Sequence, residues 1–248
     1  MFRTLFTKKI ILFPLICCMG NLSFVVNGQY PLILNSGESG NTTKDLLNRI
    51  EEEVLGFRPD IVILMVGTND MLNSSKMLSY ETYHDNLKQI ISKLGNTKMV
   101  LVSPPTVDEI YLYERHERSL YAQKPNLKLD SISSIMEALS NSNPNIGFVD
   151  IHRVFKEMKL PVHDQDRYIQ NEFNSKKRDG VHPTPKGQRL IAKSIFRFLK
   201  EGNWLKKNSV IVCFGDSITF GKNVEGEGTS SGKTYPAYLS RWACNLKF

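Results

Sequence analysis

Apolar residues along the chain fall into two alternating rhythms. Continuous runs occur at Leu32 to Leu34, Ile61 to Val66, Met99 to Val102, Ile146 to Val149 and Val210 to Phe214. Short unbroken runs of β-branched, aliphatic and aromatic residues, bounded by turn residues, predict strands buried on both faces of a parallel sheet. Between them the apolar positions recur every three or four residues. The sets are Leu46, Leu47, Ile50 and Val54; then Tyr83, Leu87, Ile90 and Leu94; then Leu190, Ile191, Ile195, Phe198 and Leu199. That spacing predicts amphipathic helices. Thr42 or Thr43 can cap the first, Gly95-Asn96 ends the second and Gly202 the third. Further helices are predicted around Leu127 to Leu139, near His152 to Met158 and over Tyr235 to Asn245. The stretch from Thr106 to Asn126 is polar and aromatic, and the loop leading to Asp179 is long and charged. Strands alternating with helices imply an α/β fold with helices on both faces of a parallel sheet, and 248 residues suit one domain with a single sizeable core.

Charge changes this picture only at the N-terminus. The formal net charge is +7, but Arg3, Lys8 and Lys9 precede a short apolar run, Ile10 to Met19, and a small-and-polar tail, Gly20 to Gly28. A basic start, an apolar core too short to span a bilayer and a small-residue exit form a secretory signal. The expected organisation is therefore a leader over 1–28, cleaved after Gly28 or Gly20, and one domain over 29–248, secreted or periplasmic. Cys18 after Leu15 and Ile16 resembles a lipoprotein anchoring site, but Cys17 occupies a position that wants a small residue, so export without an anchor is preferred. Outside the leader the cations are interleaved with acids except at Lys176-Lys177-Arg178, and neither a nucleic-acid partner nor stable membrane insertion is expected. Cys213 and Cys244 are the remaining cysteines; they make no disulfide framework and no zinc-ligand spacing, and neither a metal nor a cofactor is expected.

Candidate chemistry sits where the strands end. Gly215-Asp216-Ser217-Ile218-Thr219 follows the run Val210 to Phe214, placing a serine at the carboxyl end of a strand, where open α/β sheets bind ligands. Three other blocks stand at comparable places: Asn35-Ser36-Gly37-Glu38-Ser39-Gly40-Asn41-Thr42, Gly67-Thr68-Asn69-Asp70 and Asp179-Gly180-Val181-His182-Pro183-Thr184. Each alone has an ordinary explanation. An Asn after Gly-Thr is commonly a turn residue, Gly40 would supply a positive φ before a helix, and a His beside Pro is more often a surface or core residue.

Together the four blocks resemble those of the GDSL, or SGNH, hydrolases, with one departure: the serine block, first in that family, comes last here. The resemblance implies a three-layer α/β/α, flavodoxin-like fold with a parallel five-stranded sheet, circularly permuted. In it the strand 210–214 inserts between strands 32–35 and 61–66, with Asn203 to Asn208 joining the preceding helix to it. It also implies a serine esterase in which Ser217 is the nucleophile, His182 the base and Asp179 the residue orienting His182. Oxyanion donors would be the N–H of Ser217, the N–H of Gly40 and the side-chain amide of Asn69. Activity would fall as acid protonates the imidazole. Asp70 and Asp216 are expected to bond local backbone.

The expected substrate is an acylated carbohydrate or small ester, most naturally an O-acetyl ester, with Tyr111, Tyr113 and Tyr121 either stacking on sugar rings or packing into the core. A lysophospholipase or thioesterase acting on lipid, and a non-catalytic carbohydrate-binding or scaffold protein, are the alternatives. A central strand delivered late also raises a dimer formed by exchange of the C-terminal segment, against an otherwise monomeric chain. Two other motifs fail. Thr219 replaces the last glycine of a Gly-x-Ser-x-Gly elbow, and Glu227 stands where a phosphate loop ending at Gly232-Lys233-Thr234 needs glycine.

Overall fold

A computed structural model describes residues 30–246. The leader, with Cys17 and Cys18, lies outside the described residues. Five strands, β1 (Leu32–Gly37), β2 (Ile61–Met65), β3 (Lys98–Val102), β4 (Ile146–Val149) and β5 (Val210–Gly215), form one parallel sheet in the order β1-β5-β2-β3-β4. The last strand thus fills the slot expected of it, between the first two.

Helices cover both faces: α1 (Thr43–Glu53), α2 (Thr68–Leu72), α3 (Tyr80–Leu94), α4 (Glu109–Arg115), α5 (Pro125–Asn141), α6 (Ile151–Glu157), α7 (Glu172–Ser175), α8 (Pro185–Glu201), α9 (Ser217–Phe220) and α10 (Tyr235–Ala243). Side chains alternate across each strand. Val62, Leu64, Leu101, Val212 and Phe214 therefore pack with α1, α3 and α5, while Ile61, Ile63, Val100, Ile211 and Cys213 pack with α6, α8 and α10. Each fully buried aliphatic or aromatic side chain contributes about 1.5–3 kcal/mol, so β5, whose Ile211 to Phe214 are completely covered, anchors both halves of the core. Among the described residues no helix is long and apolar enough to cross a membrane.

Two segments depart from the sequence reading. The polar stretch after Thr106 contains α4, capped by Asp108, whose carboxylate accepts from the Ile110 N–H; only Tyr111 and Leu112 of its seven residues are buried, too few to show a helical period. The long charged loop before Asp179 is ordered by backbone pairing against the histidine block. The Gln170 N–H donates to His182 O, Gly180 N–H to Gln170 O, and Thr184 N–H to Tyr168 O, at 2.8–2.9 Å.

Strand register sets where the chemistry appears. Gly37 pairs with Gly215, Gly215 with Met65, Met65 with Val102 and Val102 with Val149, so all five strands end at one level. The serine turn, the Ser36–Asn41 loop and the Gly67–Asp70 turn leave the sheet along this edge. Gly37 is where β1 meets the serine turn: a Cβ there would stand 2.2 Å from the Phe220 nitrogen.

Candidate active site

Ser217 is the first residue of the short helical turn α9. Asp216 caps that turn, its Oδ1 accepting from the Ile218 N–H at 2.9 Å. The first N–H groups of a helix have no intrahelical acceptor, which leaves the Ser217 N–H facing outward from the turn. Two buried amides fix the turn from the side. Gln188 on α8 donates to Ile218 O at 3.0 Å while its Oε1 accepts from the Tyr235 N–H, and Gln170 donates to Lys222 O at 2.9 Å.

His182 stands on the loop opposite, with Nε2 2.9 Å from the Ser217 hydroxyl oxygen. Its Nδ1 lies 2.8 Å from Asp179 Oδ2. Asp179 also accepts from the N–H groups of Val181 and His182 through Oδ1, at 2.9 and 2.7 Å. Burial by itself raises the Asp179 carboxyl, but the hydrogen bond and charge of His182 and these two N–H donors outweigh it and hold the group at about 2. Asp179 is thus ionised at neutral pH and accepts the Nδ1 proton, leaving Nε2 as an acceptor for the serine hydroxyl. The guanidinium of Arg115 bonds the Asp179 carbonyl and ties α4 to this loop.

Asn69, the second residue of α2, lines the same cavity as Ser217 and His182, a space of about 140 Å³ also lined by Leu72, Leu112 and Val181. Gly67 turns the chain into α2 at φ +130, where a Cβ would meet Ile132 at 2.5 Å, so only glycine fits. The Asn69 amide donates to Asn41 O at 3.0 Å and keeps a second hydrogen free for a ligand. Gly40, at φ +84 in the loop before α1, is not among the residues lining that cavity; the loop reaches the site through Asn41.

Asp70 and Asp216 lie behind the site. Burial raises Asp216 to about 7, and burial raises Asp70 to about 6 against hydrogen bonds from Thr43. Asp216 bonds local backbone as expected. Asp70 does not: it accepts from the N–H and hydroxyl of Thr43, at 2.9 and 2.5 Å, because parallel strand ends bring those distant turns together. Of the three tyrosines, Tyr111 and Tyr121 are buried, the latter bonded to Leu72 O, so they pack into the core and are not open to stack on a sugar ring.

Three side chains of the site were not anticipated. Arg49, on α1, donates to Asn41 Oδ1 at 2.7 Å and to Ser36 O and Gly215 O at 2.9 Å, with its guanidinium 4.6 Å above the Phe214 ring. It fastens the Ser36–Asn41 loop to the end of the serine strand. Arg115 and His116 line the cavity. Burial, with Arg115 beside it, lowers His116 below the ordinary imidazole range, and its Nδ1 lies 2.9 Å from the Ser74 hydroxyl.

Residues 20–195 match the model of the GDSL-like lipase/acylhydrolase family; the serine block lies beyond that match. The chain is 26% identical over 166 residues to an acetylxylan esterase of Geobacillus stearothermophilus, covering 66% of this chain and 70% of that one. It is 25% identical over 176 residues to the uncharacterized lipoprotein YqeF of Bacillus subtilis, covering 66% and 71%. A solved lipase/acylhydrolase from Enterococcus faecalis shares the fold, with a TM-score of 0.53 over 69% of this chain and 75% of that one at 24% identity. The family match spans well over half of the sequence, and the chain accordingly belongs to the GDSL-like lipase/acylhydrolase family, as a hydrolase of carboxylic esters.

Proposed function

We propose that this ester hydrolase removes O-acetyl groups from carbohydrate or small substrates through Ser217, His182 and Asp179. The observation that carries the reading is the line of contacts from Asp179 to His182 to Ser217, at 2.8 and 2.9 Å, opening into a cavity of about 140 Å³. Ser217 Oγ attacks the ester carbonyl as its proton passes to His182 Nε2, and Asp179 stabilises the imidazolium that forms. The negative charge on the carbonyl oxygen is met by the Ser217 N–H and the Asn69 amide, both from residues that line the cavity. Collapse breaks the bond to the alcohol, which takes the proton from His182 and leaves an acetyl-serine. Water, deprotonated by the same imidazole, then releases acetate and restores Ser217.

The cavity argues for a short acyl group. Pockets for drug-sized ligands run to several hundred Å³, whereas this one holds about 140 Å³, and Leu72, Leu112 and Val181 are the only apolar residues of its mostly polar lining, which offers a fatty chain little apolar surface. The similarity to an acetylxylan esterase supports the same choice. A chain-length series of aryl esters, run beside acetylated xylo-oligosaccharides, tests it. Acetate is expected to turn over fastest, and Ser217→Ala to abolish turnover. A preference for long acyl chains would assign the enzyme to lipids, and saturable glycan binding without turnover would make it a binding protein.

We also read the order of the blocks as a circular permutation and the leader as an export signal. The slot filled by β5 between β1 and β2, and a family match that stops at 195, before the serine block, support the first.

A further inference from the structure

A cavity larger than the one beside Ser217 lies elsewhere on the molecule. A groove of about 570 Å³ lies along α8, bordered by Lys186, Arg189 and Lys193 and walled by Tyr168, Phe196 and Trp242. Contrary to the sequence reading, which found no basic concentration beyond Lys176-Lys177-Arg178, these three cations are exposed and share one stripe of the helix, spanning about 10 Å at ~1.5 Å per residue. None of them forms an ion pair among the described residues, although Arg197 on the same helix pairs with Glu201 at 2.8 Å. Like charges three or four residues apart repel on a helix surface. A stripe of this kind is stabilised when an extended anion lies across it. Aromatic rings complete the site. The Lys186 ammonium sits 4.7 Å above the Tyr168 ring, and Trp242 packs edge-on against Phe196 at 5.6 Å.

We propose that this groove binds a strand of acidic polysaccharide, the polymer whose ester groups the Ser217 site removes, an assignment that rests on the esterase reading above. Three cations spread along the axis suit a repeating anion rather than a single carboxylate, and flat aromatic walls suit sugar rings. A membrane surface fits less well: the large apolar side chains that stand most exposed, such as Phe173, Ile110 and Leu127, lie outside the groove, whereas Phe196 and Trp242 are half-buried. The groove starts at Lys186, four residues after His182, so a polymer held there lies on the element that follows the histidine block.

Calorimetric titration of the whole protein with polygalacturonate, with unsubstituted xylan, with phosphatidylglycerol vesicles and with a single-stranded oligonucleotide tests the assignment. Polygalacturonate is expected to bind, xylan to bind far more weakly, and the affinity to fall as salt rises from about 0.05 M to about 0.5 M. The double variant Arg189→Gln/Lys193→Gln is expected to lose about tenfold in affinity, and the charge-conserving Arg189→Lys/Lys193→Arg to retain it. Equal binding of xylan, binding unmoved by the glutamine variant, or no binding would overturn the assignment. So would vesicles or the oligonucleotide binding as tightly as polygalacturonate. Turnover of a small aryl acetate by the unaltered protein, measured separately, distinguishes the two readings. Turnover without polygalacturonate binding leaves the esterase reading standing and removes the groove; binding without turnover does the reverse.

Discussion

Replacing Asp216 with asparagine tests how the serine turn is held. The Asp216 side chain is fully buried; Oδ1 accepts from the Ile218 N–H, and Oδ2 has no hydrogen-bond partner among the described residues. Burial raises its carboxyl from 3.8 to about 7, so the folded protein holds this proton more tightly than the unfolded chain does. Below about pH 4 both states are protonated and the contribution to stability is fully present; it is lost as pH rises through about 7. At ~1.4 kcal/mol per pH unit, the loss by about pH 8 is on the order of 4 kcal/mol. Asparagine keeps the acceptor for the Ile218 N–H and has no charge to bury.

Urea unfolding of both proteins across that range gives the difference directly. The variant is expected to match or fall slightly below the parent near pH 4 and to exceed it by several kcal/mol near about pH 8. Asp70, raised to about 6 by burial, adds a slope of the same sign to both proteins. That slope cancels in the difference apart from the part due to its repulsion from Asp216. Two stability profiles that run parallel across the range would refute the reasoning, because they would mean that Asp216 ionises alike in the folded and unfolded states.

Three further outcomes are expected. Asn69→Ala should lower kcat roughly a hundredfold with a smaller change in KM, measured on an aryl acetate, since an oxyanion donor acts chiefly in the transition state. Arg49→Gln should lower kcat about tenfold by loosening the Ser36–Asn41 loop from Gly215, and Arg49→Lys should not restore it, because a single ammonium cannot reach three acceptors in the fixed fork of a guanidinium. Gly37→Ala should cost roughly 2–4 kcal/mol in thermal unfolding, because its Cβ would stand 2.2 Å from the backbone nitrogen of Phe220.

β2, β3 and β5 were legible because they are buried on both faces and so written almost wholly in apolar residues; β1, at the sheet edge with Leu32 exposed, shows only three apolar residues before Asn35, and the slot of Val210 to Phe214 followed once the four blocks were matched. The blocks that follow the ends of β1, β2 and β5 were legible as neighbours too, since parallel register brings those ends to one level. Side chains whose partners lie far along the chain were not. Arg49 is one residue from Ile50 on an ordinary amphipathic helix, and nothing local distinguishes it from a solvated surface arginine. Its acceptor at Gly215 is 166 residues away. Asp70 reads as a turn residue, and only the folded chain shows it holding Thr43 across 27 residues. In α4, two buried residues in seven leave no periodic signal.

Apart from the cap supplied by Asp216, the position of Ser217 rests on the strand that carries it and on segments far away in the chain. β5 is fixed by β1 on one side and β2 on the other, with Val210 opposite Leu32 and Ile211 opposite Ile61. Beyond Gly215 the turn is held by Arg49 from α1, Gln188 from α8 and Gln170 from the loop that braces the histidine. These contacts come from segments that precede β5 in the chain, and each is made to the carboxyl end of the strand rather than to the linker that enters at its base. A chain that delivers this strand first or last therefore builds the same centre, provided the slot between β1 and β2 exists when it arrives. The consequence falls on folding instead of chemistry. Every pairing of β5 is distant in sequence, so its insertion waits on the rest of the sheet, and Ser217 reaches His182 only when that insertion is complete.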